Sequence, residues 1–427
     1  MNILILGATG FIGSNIASKL AAEGHAVTGL GRDTARLAAR TPQITWVRAD
    51  LANLLTAESW KDLLARQDVV VNCAGALQDG LSDRLKDVQT RAQLALQDAA
   101  KAVGIKLVIQ ISADTSGPSG ETEFLATKRA ADEALARSGL PFVILRPALV
   151  IGRNAFGGTA LLRALAALPF VLPLVHAHSA VSTVTLDDVA KAVSLALTGE
   201  IPSGSDLMLA KEGGTLASLV TEHRTWLGLP PAPIVSLPAF AAAPVSAIAD
   251  ALGWLGWRSP LRSTAMQVMR HGVRAGDVHA LPPFAIEPAS AFLARNAAGI
   301  QDVWFARLYF LKPLIFFCLS AFWLASGLIP LLEPSRAAGH FSPFMGQTAA
   351  LGLTFATCLI DIVLGLVVLF RPRARLALSG MVIVTLAYLA GSIVMEPALW
   401  LDPLGPMIKT VPALALTLVA LVILDER

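Results

Sequence analysis

Short apolar runs alternate with longer Ala-rich stretches through the first two hundred residues. NILIL (2–6) is closed by a glycine and followed over 11–23 by apolar positions at helical spacing, which predicts strand, tight turn, helix. Comparable runs recur at HAVTGL (25–30), ITWVRA (44–49), DVVVNCAG (68–75), KLVIQIS (106–112) and PFVILRP (141–147). Strands alternating with helices of this length predict βαβ units and a doubly wound, parallel α/β sheet over residues 1–198. From Gly199 the texture changes to Pro-rich connectors such as LGLPPAPIVSLPAFAAAP (227–244) and LPPFAIEP (281–288), so 199–307 reads as a small irregular lobe and linker. Four long apolar runs follow, 313–332, 346–370, 376–395 and 407–424. About 20 helical residues rising roughly 1.5 Å each cover the roughly 30 Å hydrocarbon core, so 308–427 is expected to be an all-α domain of four transmembrane helices.

Composition supports this division. The mean hydropathy of +0.61 is too apolar for a purely soluble chain. Charged residues are frequent up to about residue 307 and scarce beyond it. A net charge of +3 on 427 residues, without a basic stripe interleaved with aromatics, excludes nucleic acid as the expected partner. Cys73, Cys318 and Cys358 have neither pairing nor metal-ligand spacing, so no metal site is expected. MNILIL has no basic start and its apolar run stops at Gly7, so it reads as a buried strand and not a secretory signal. Arg307 and Lys312 precede the first span and Arg371, Arg373 and Arg375 fill the loop between the second and third, which predicts cytoplasmic chain ends.

GATGFIG sets Gly7, Gly10 and Gly13 between a strand and a helix. Glycine is needed there for the tight turn, for approach of a pyrophosphate and for close helix packing, while the helix N-terminus faces the phosphates. The predicted partner is a dinucleotide, with Thr9, Phe11 and Ile12 completing its cradle. After the second strand GLGRD offers Arg32 where a NAD-selective site would place an acid, which favours NADP over NAD. Asp50 and Leu51 in RADL stand where adenine would be read, and Cys73, Ala74 and Gly75 in NCAG lie beside the expected cofactor path.

Together GATGFIG, RADL, NCAG, QISAD, FLATK, LRPALVIG (145–152) and TLDDVA (185–190) resemble the atypical and extended short-chain dehydrogenase/reductases, a Rossmann-fold family. The resemblance implies a catalytic Ser or Thr after the fifth strand and a Tyr-x-x-x-Lys pair on the next helix. Ser112 falls near the serine position, Lys128 takes the lysine position, and Phe124 occupies the place of the tyrosine. The two tyrosines of the chain, Tyr309 and Tyr388, lie in or beside the spans, so no shift of register supplies one. Ser112, Asp114, Glu121 and Glu123 are conceivable substitutes, each also readable as a loop cap or solvated charge. Lys128 has three readings: a holder of the cofactor ribose, itself the acid or base as in the isoflavone-reductase-like branch, or a solvated charge. Arg146 and Pro147 read as architectural, Asp187 and Asp188 as a helix cap and first turn, and His176 and His178 as alternating along a strand.

ARLYFLKPLIFFCLSAFWLASGLIPLL (306–332) with DIVLGL (361–366) resembles the DoxX-like membrane domain, which follows this type of reductase in some bacterial proteins. A multi-pass protein of a bacterial-type inner membrane is the corresponding expectation. Asp361, an acid well inside a span, is costly there and is expected to face the bundle and find partners. Two functions remain open. One is a membrane-bound oxidoreductase passing hydride equivalents to a quinone or lipid-like acceptor. The other is an idle nucleotide-binding protein of a membrane complex, similar to the Rossmann-type accessory subunit of respiratory complex I.

Overall fold

The computed structural model describes residues 1–75, 78–81, 84–116, 122–273, 279–403 and 405–425. It divides into one unit of Met1–Trp254 with Arg258–Ala306 and another of Leu255–Trp257 with the chain from Arg307 onward.

The first unit is built on a Rossmann-type sheet. Its strands are β1 (Asn2–Leu6), β2 (Ala26–Gly31), β3 (Thr45–Arg48), β4 (Val69–Asn72), β5 (Leu107–Ile111) and β6 (Phe142–Pro147). Two short strands follow, β7 (Leu149–Ile151) and β8 (Leu172–Val175), then β9 (Thr183–Thr185), β10 (Ser205–Leu209) and β11 (Ile234–Leu237). The main sheet runs in the order β10-β6-β5-β4-β1-β2-β3, and every pair in it is parallel. Both faces are buried, as parallel sheets require: Ile3, Ile5, Val69, Val71 and Ile109 pack on one side, Leu4, Leu6, Val70 and Val108 on the other. That two-sided burial is why the strands read as unbroken apolar runs.

Two expectations need correction. The stretch read as irregular from Gly199 contributes β10 to the sheet, with Ser205 opposite Val143 and Leu209 opposite Pro147, because Leu207, Met208 and Leu209 are all apolar and buried. Residues 176–178 form a turn and not a strand, with His176 in the left-handed region at φ 59°, so the two histidines do not alternate along one face.

In the second unit, helices long and apolar enough to cross a membrane span Gln347–Val367, Arg371–Met395 and Pro406–Ile423, and the helix Ile300–Leu332 enters it from Arg307. Small residues bring backbones together here: a Cβ on Gly365 would stand 3.0 Å from Leu324 N, and one on Gly327 would stand 2.6 Å from Cys358 O. The protein is a multi-pass membrane protein.

Candidate functional site

Gly7 has φ 68°, and a Cβ there would lie 3.0 Å from both N and Cα of Ala74. A Cβ on Gly13 would collide with Gly7 O. The turn after β1 is thereby pressed against the end of β4, and only glycine fits it. The helix Phe11–Ala22 begins at Gly10 with no side-chain cap and no acid in its first turn. Its opening N–H groups are therefore available to an anion. Phe11 stacks on Phe156 at 6.0 Å, Ile12 packs on the core, and Thr9 fills the space where a Gly31 side chain would stand. These features fit a dinucleotide pyrophosphate.

The end of β4 is shaped by a buried amide network. Asn72 Nδ2 donates to Gln93 Oε1 at 2.7 Å and to Gln110 Oε1 at 2.8 Å, while Asn72 Oδ1 accepts from Ala74 N at 3.0 Å. Burial pushes the Cys73 thiol up to about 12, against the pull of Lys128, so it stays uncharged and unreactive at neutral pH. After β3, Asp50 accepts from Ala52 N at 3.1 Å and caps the single turn Leu51–Asn53, with Leu51 buried. Arg32 is exposed just past β2.

The helix Glu123–Arg137, capped by Thr122, carries the second half of the site. Lys128 is 8% exposed, so the reading of a solvated lysine is overturned. Its Nζ donates to Ile111 O at 3.2 Å, lies 3.7 Å from where a Gly75 Cβ would be, and sits 5.8 Å from the centroid of the Phe124 ring. The structure thus brings Lys128 together with the ends of β4 and β5 and with the ring of Phe124. Burial lowers the Lys128 pKa, opposed by the nearby charge of Asp132.

Ser112 belongs to a buried chain of charges. Its hydroxyl donates to Asp132 Oδ2 at 2.5 Å, which also accepts from Arg146 Nη1 at 2.9 Å. Arg146 is held in turn by Asp206 at 2.7 and 2.9 Å and by Ala113 O at 2.8 Å. Burial raises the Asp132 pKa, with Arg146 and Ser112 opposing. Arg146 is therefore the counter-ion of the site as well as a strand end. Asp132, missed from sequence, lies four residues after Lys128 on the same helix face, and that spacing was the available signal.

The other substitutes for a tyrosine stay apart. Asp114 accepts from Ser116 N at 2.9 Å as a loop cap, Glu123 pairs with Lys86 at 3.5 Å in solvent, and Glu121 lies outside the described residues. Thr185 caps the helix Leu186–Thr198 whose first turn holds Asp187 and Asp188. Asp188 accepts from Glu287 N at 2.9 Å, and Asp187 pairs with Arg295 at 3.1 Å. Among the described residues no group of three or more His, Cys, Asp or Glu could hold a metal ion. In the membrane unit, Asp361 is 3% exposed and accepts from Ser326 Oγ at 2.8 Å and from Tyr388 OH at 2.9 Å, joining three helices.

Residues 7–197 match the NAD(P)H-binding family and residues 320–418 the DoxX-like family. The chain is an NAD(P)-binding Rossmann-like domain fused to a DoxX-like membrane domain. It is 26% identical over 189 residues to the ceramide reductase of Caulobacter vibrioides, covering 44% of this chain and 58% of that one. It is 29% identical over 260 residues to the 3-diazoavenalumate denitrifying reductase of a Streptomyces species, covering 54% and 83%. Against an uncharacterized protein of Mycobacterium tuberculosis strain H37Rv it is 28% identical over 213 residues, 50% of this chain and only 22% of that protein's length. Among solved structures, UDP-glucose 4-epimerase from Thermotoga maritima is similar at 20% identity and TM-score 0.47, covering 56% of this chain and 86% of that one. That likeness carries no argument about chemistry.

Proposed function

We propose that the protein is a membrane-anchored NAD(P)H-dependent reductase whose acceptor is a lipid-soluble carbonyl compound, quinone or lipid-like, met at the cytoplasmic face. The buried Lys128 beside Gly75 and Ile111 carries this reading. Fusion to four spans supports a lipid-soluble acceptor, as does the similarity to the Caulobacter ceramide reductase.

Gly7, Gly10 and Gly13, with Thr9, Phe11 and Ile12, would hold the pyrophosphate. Asp50 and Leu51 would flank the adenine, Cys73, Ala74 and Gly75 would line the cofactor's path, and Arg32 would meet a 2′-phosphate, favouring NADP over NAD. When bound, the dinucleotide supplies a hydride equivalent. Lys128 has three ammonium hydrogens, one of them given to Ile111 O, which leaves two for the ribose and the acceptor oxygen. Its lowered pKa eases release of a proton to that oxygen, and burial favours the neutral amine that remains. Ser112 commits its hydrogen to Asp132 and so offers only lone pairs to a ligand, orienting but not protonating it.

Phe124 favours a second reading, a nucleotide-holding protein without turnover that stabilises or senses redox state in a membrane complex. Full-length protein in lipid nanodiscs separates the two: NADPH and NADH binding by fluorescence, then nucleotide oxidation with long-chain aldehydes, ketones and quinone analogues. Oxidation supports the reductase. Binding without oxidation on every acceptor replaces it with the second reading, and absence of binding removes both.

A further inference from the structure

The segment Ala239–Trp254, a short 3-10 turn leading into a helix, is polarised in the wrong sense for water. Its exposed positions, 239, 240, 243, 244, 245, 247, 248, 251 and 254, are all apolar. Phe240 is 78% exposed, and Ile248 and Trp254 are 62% exposed. The segment's two polar residues turn toward the protein: Ser246 is buried, and Asp250 Oδ1 accepts from Gln78 Nε2 at 3.2 Å, Arg262 Nε at 3.2 Å and Ser263 N at 3.3 Å. A water-facing helix would show the opposite arrangement. Contiguous apolar surface of this kind marks an interaction face.

The next residues, Leu255–Trp257, belong to the membrane unit and are anchored within it. Arg371 N donates to Leu255 O at 2.9 Å, Trp257 Nε1 donates to Leu369 O at 2.6 Å, and the Trp257 ring packs edge-on against Phe316 at 4.8 Å. Leu369 and Arg371 stand where the second apolar helix, ending at Val367, turns into the third, beginning at Arg371, the position a bilayer edge takes when both helices span. One peptide bond separates Trp254 from this anchored segment. At 16 residues the helical stretch is too short to span, and it ends in a tryptophan, the residue enriched at membrane interfaces.

We propose that 239–254 lies in the plane of the membrane, with Phe240, Val245, Ile248 and Trp254 set about 5–10 Å into the boundary between headgroups and acyl chains. Its partner is the lipid surface itself, a contact beyond the four spans. The inference is independent of nucleotide turnover, because it rests on the polarity of one helix and the anchoring of its C-terminal end.

The test uses full-length protein in lipid nanodiscs. With Cys73, Cys318 and Cys358 replaced by Ala, a nitroxide is attached at Ile248→Cys and, for reference, at Leu94→Cys on the exposed face of the helix Ala92–Val103. Power saturation compares collision with oxygen, which concentrates in lipid, and with a water-soluble nickel chelate. The expected result is several-fold higher oxygen than nickel accessibility at 248 and the reverse at 94. Equal nickel accessibility at both positions overturns the proposal. Protection from both reagents that varies with the protein-to-lipid ratio also overturns it, in favour of a protein partner. Should the cysteine-free chain fail to fold, quenching by brominated acyl chains in the natural sequence decides. The difference between wild type and Trp254→Phe must be quenched, and an unquenched difference overturns the proposal.

Discussion

Ser112 Oγ and Asp132 Oδ2 stand 2.5 Å apart, the serine donating. That bond commits the serine hydrogen to the carboxylate. A serine facing a carboxylate acts as an acceptor toward anything else in the site, which leaves the Lys128 ammonium and the Gln89 amide, 3.7 and 3.5 Å from where a Gly75 Cβ would stand, as donors there.

The chain Ser112–Asp132–Arg146–Asp206 is also a structural element. Asp132→Asn removes one counter-charge from buried Arg146, which keeps Asp206. Breaking a buried pair costs about 3–5 kcal/mol, and the low end is expected here. Ser112→Ala should cost about 1 kcal/mol, as loss of one hydrogen bond. Thermal unfolding of the full-length protein in detergent measures both, and equal effects would contradict the charge-chain account.

Lys128 has a pH signature of fixed sign. Burial lowers its folded pKa below the ordinary 10.5, so the unfolded chain binds the extra proton in the window between the two values. Wild-type stability relative to Lys128→Met should therefore rise with pH through that window and fall as pH drops through the folded pKa. Denaturant titrations of both proteins from pH 7 to 10 check the slope.

Gly7 tests the cradle. At φ 68°, Gly7→Ala adds left-handed strain of about 1–2 kcal/mol, and its methyl meets the Ala74 backbone at 3.0 Å. Nucleotide affinity should fall about tenfold or more, since each 1.4 kcal/mol is tenfold. Fluorescence titration with NADPH reads this directly.

Arg32→Ala should weaken NADPH by about ten- to a hundredfold, the worth of a charge-assisted hydrogen bond of about 1.5–3 kcal/mol, and leave NADH nearly unchanged. Equal loss for both nucleotides would place Arg32 away from the 2′ position.

In the membrane unit, Tyr388→Phe leaves Asp361 Oδ1 without its donor, at a cost of about 1–3 kcal/mol for a buried acceptor. Asp361→Asn keeps an acceptor for one of the two donors and should cost less than Asp361→Leu, which abandons both. Unfolding in mild detergent ranks the three.

Sequence made the sheet legible because β1, β4, β5 and β6 are buried on both faces and contain little but Ile, Leu and Val. The glycine turn was legible because its three glycines recur within seven residues between a strand and a helix, although Ala74, far along the chain, is what Gly7 is pressed against. Lys128 was singled out by the Tyr-x-x-x-Lys pattern that the resemblance implies, with Phe124 four residues before it. What stayed hidden depends on distant pairing. Ser112, Asp132, Arg146 and Asp206 come together only once four separate elements converge. The inverted polarity of 239–254 was invisible because its composition is apolar but for Ser246 and Asp250, and only the fold shows that these two face inward. His176 sits in a turn at positive φ, which breaks the extended backbone that alternation assumes.

Lys128 is proposed both to hold the nucleotide and to protonate the acceptor without a tyrosine. NADPH oxidation by the full-length protein in nanodiscs, with a long-chain ketone as acceptor, tests it most directly. The account predicts turnover that persists in Ser112→Ala, falls as pH rises through the lowered Lys128 pKa and disappears in Lys128→Met. Turnover that survives in Lys128→Met, or NADPH bound but never oxidised, would contradict it.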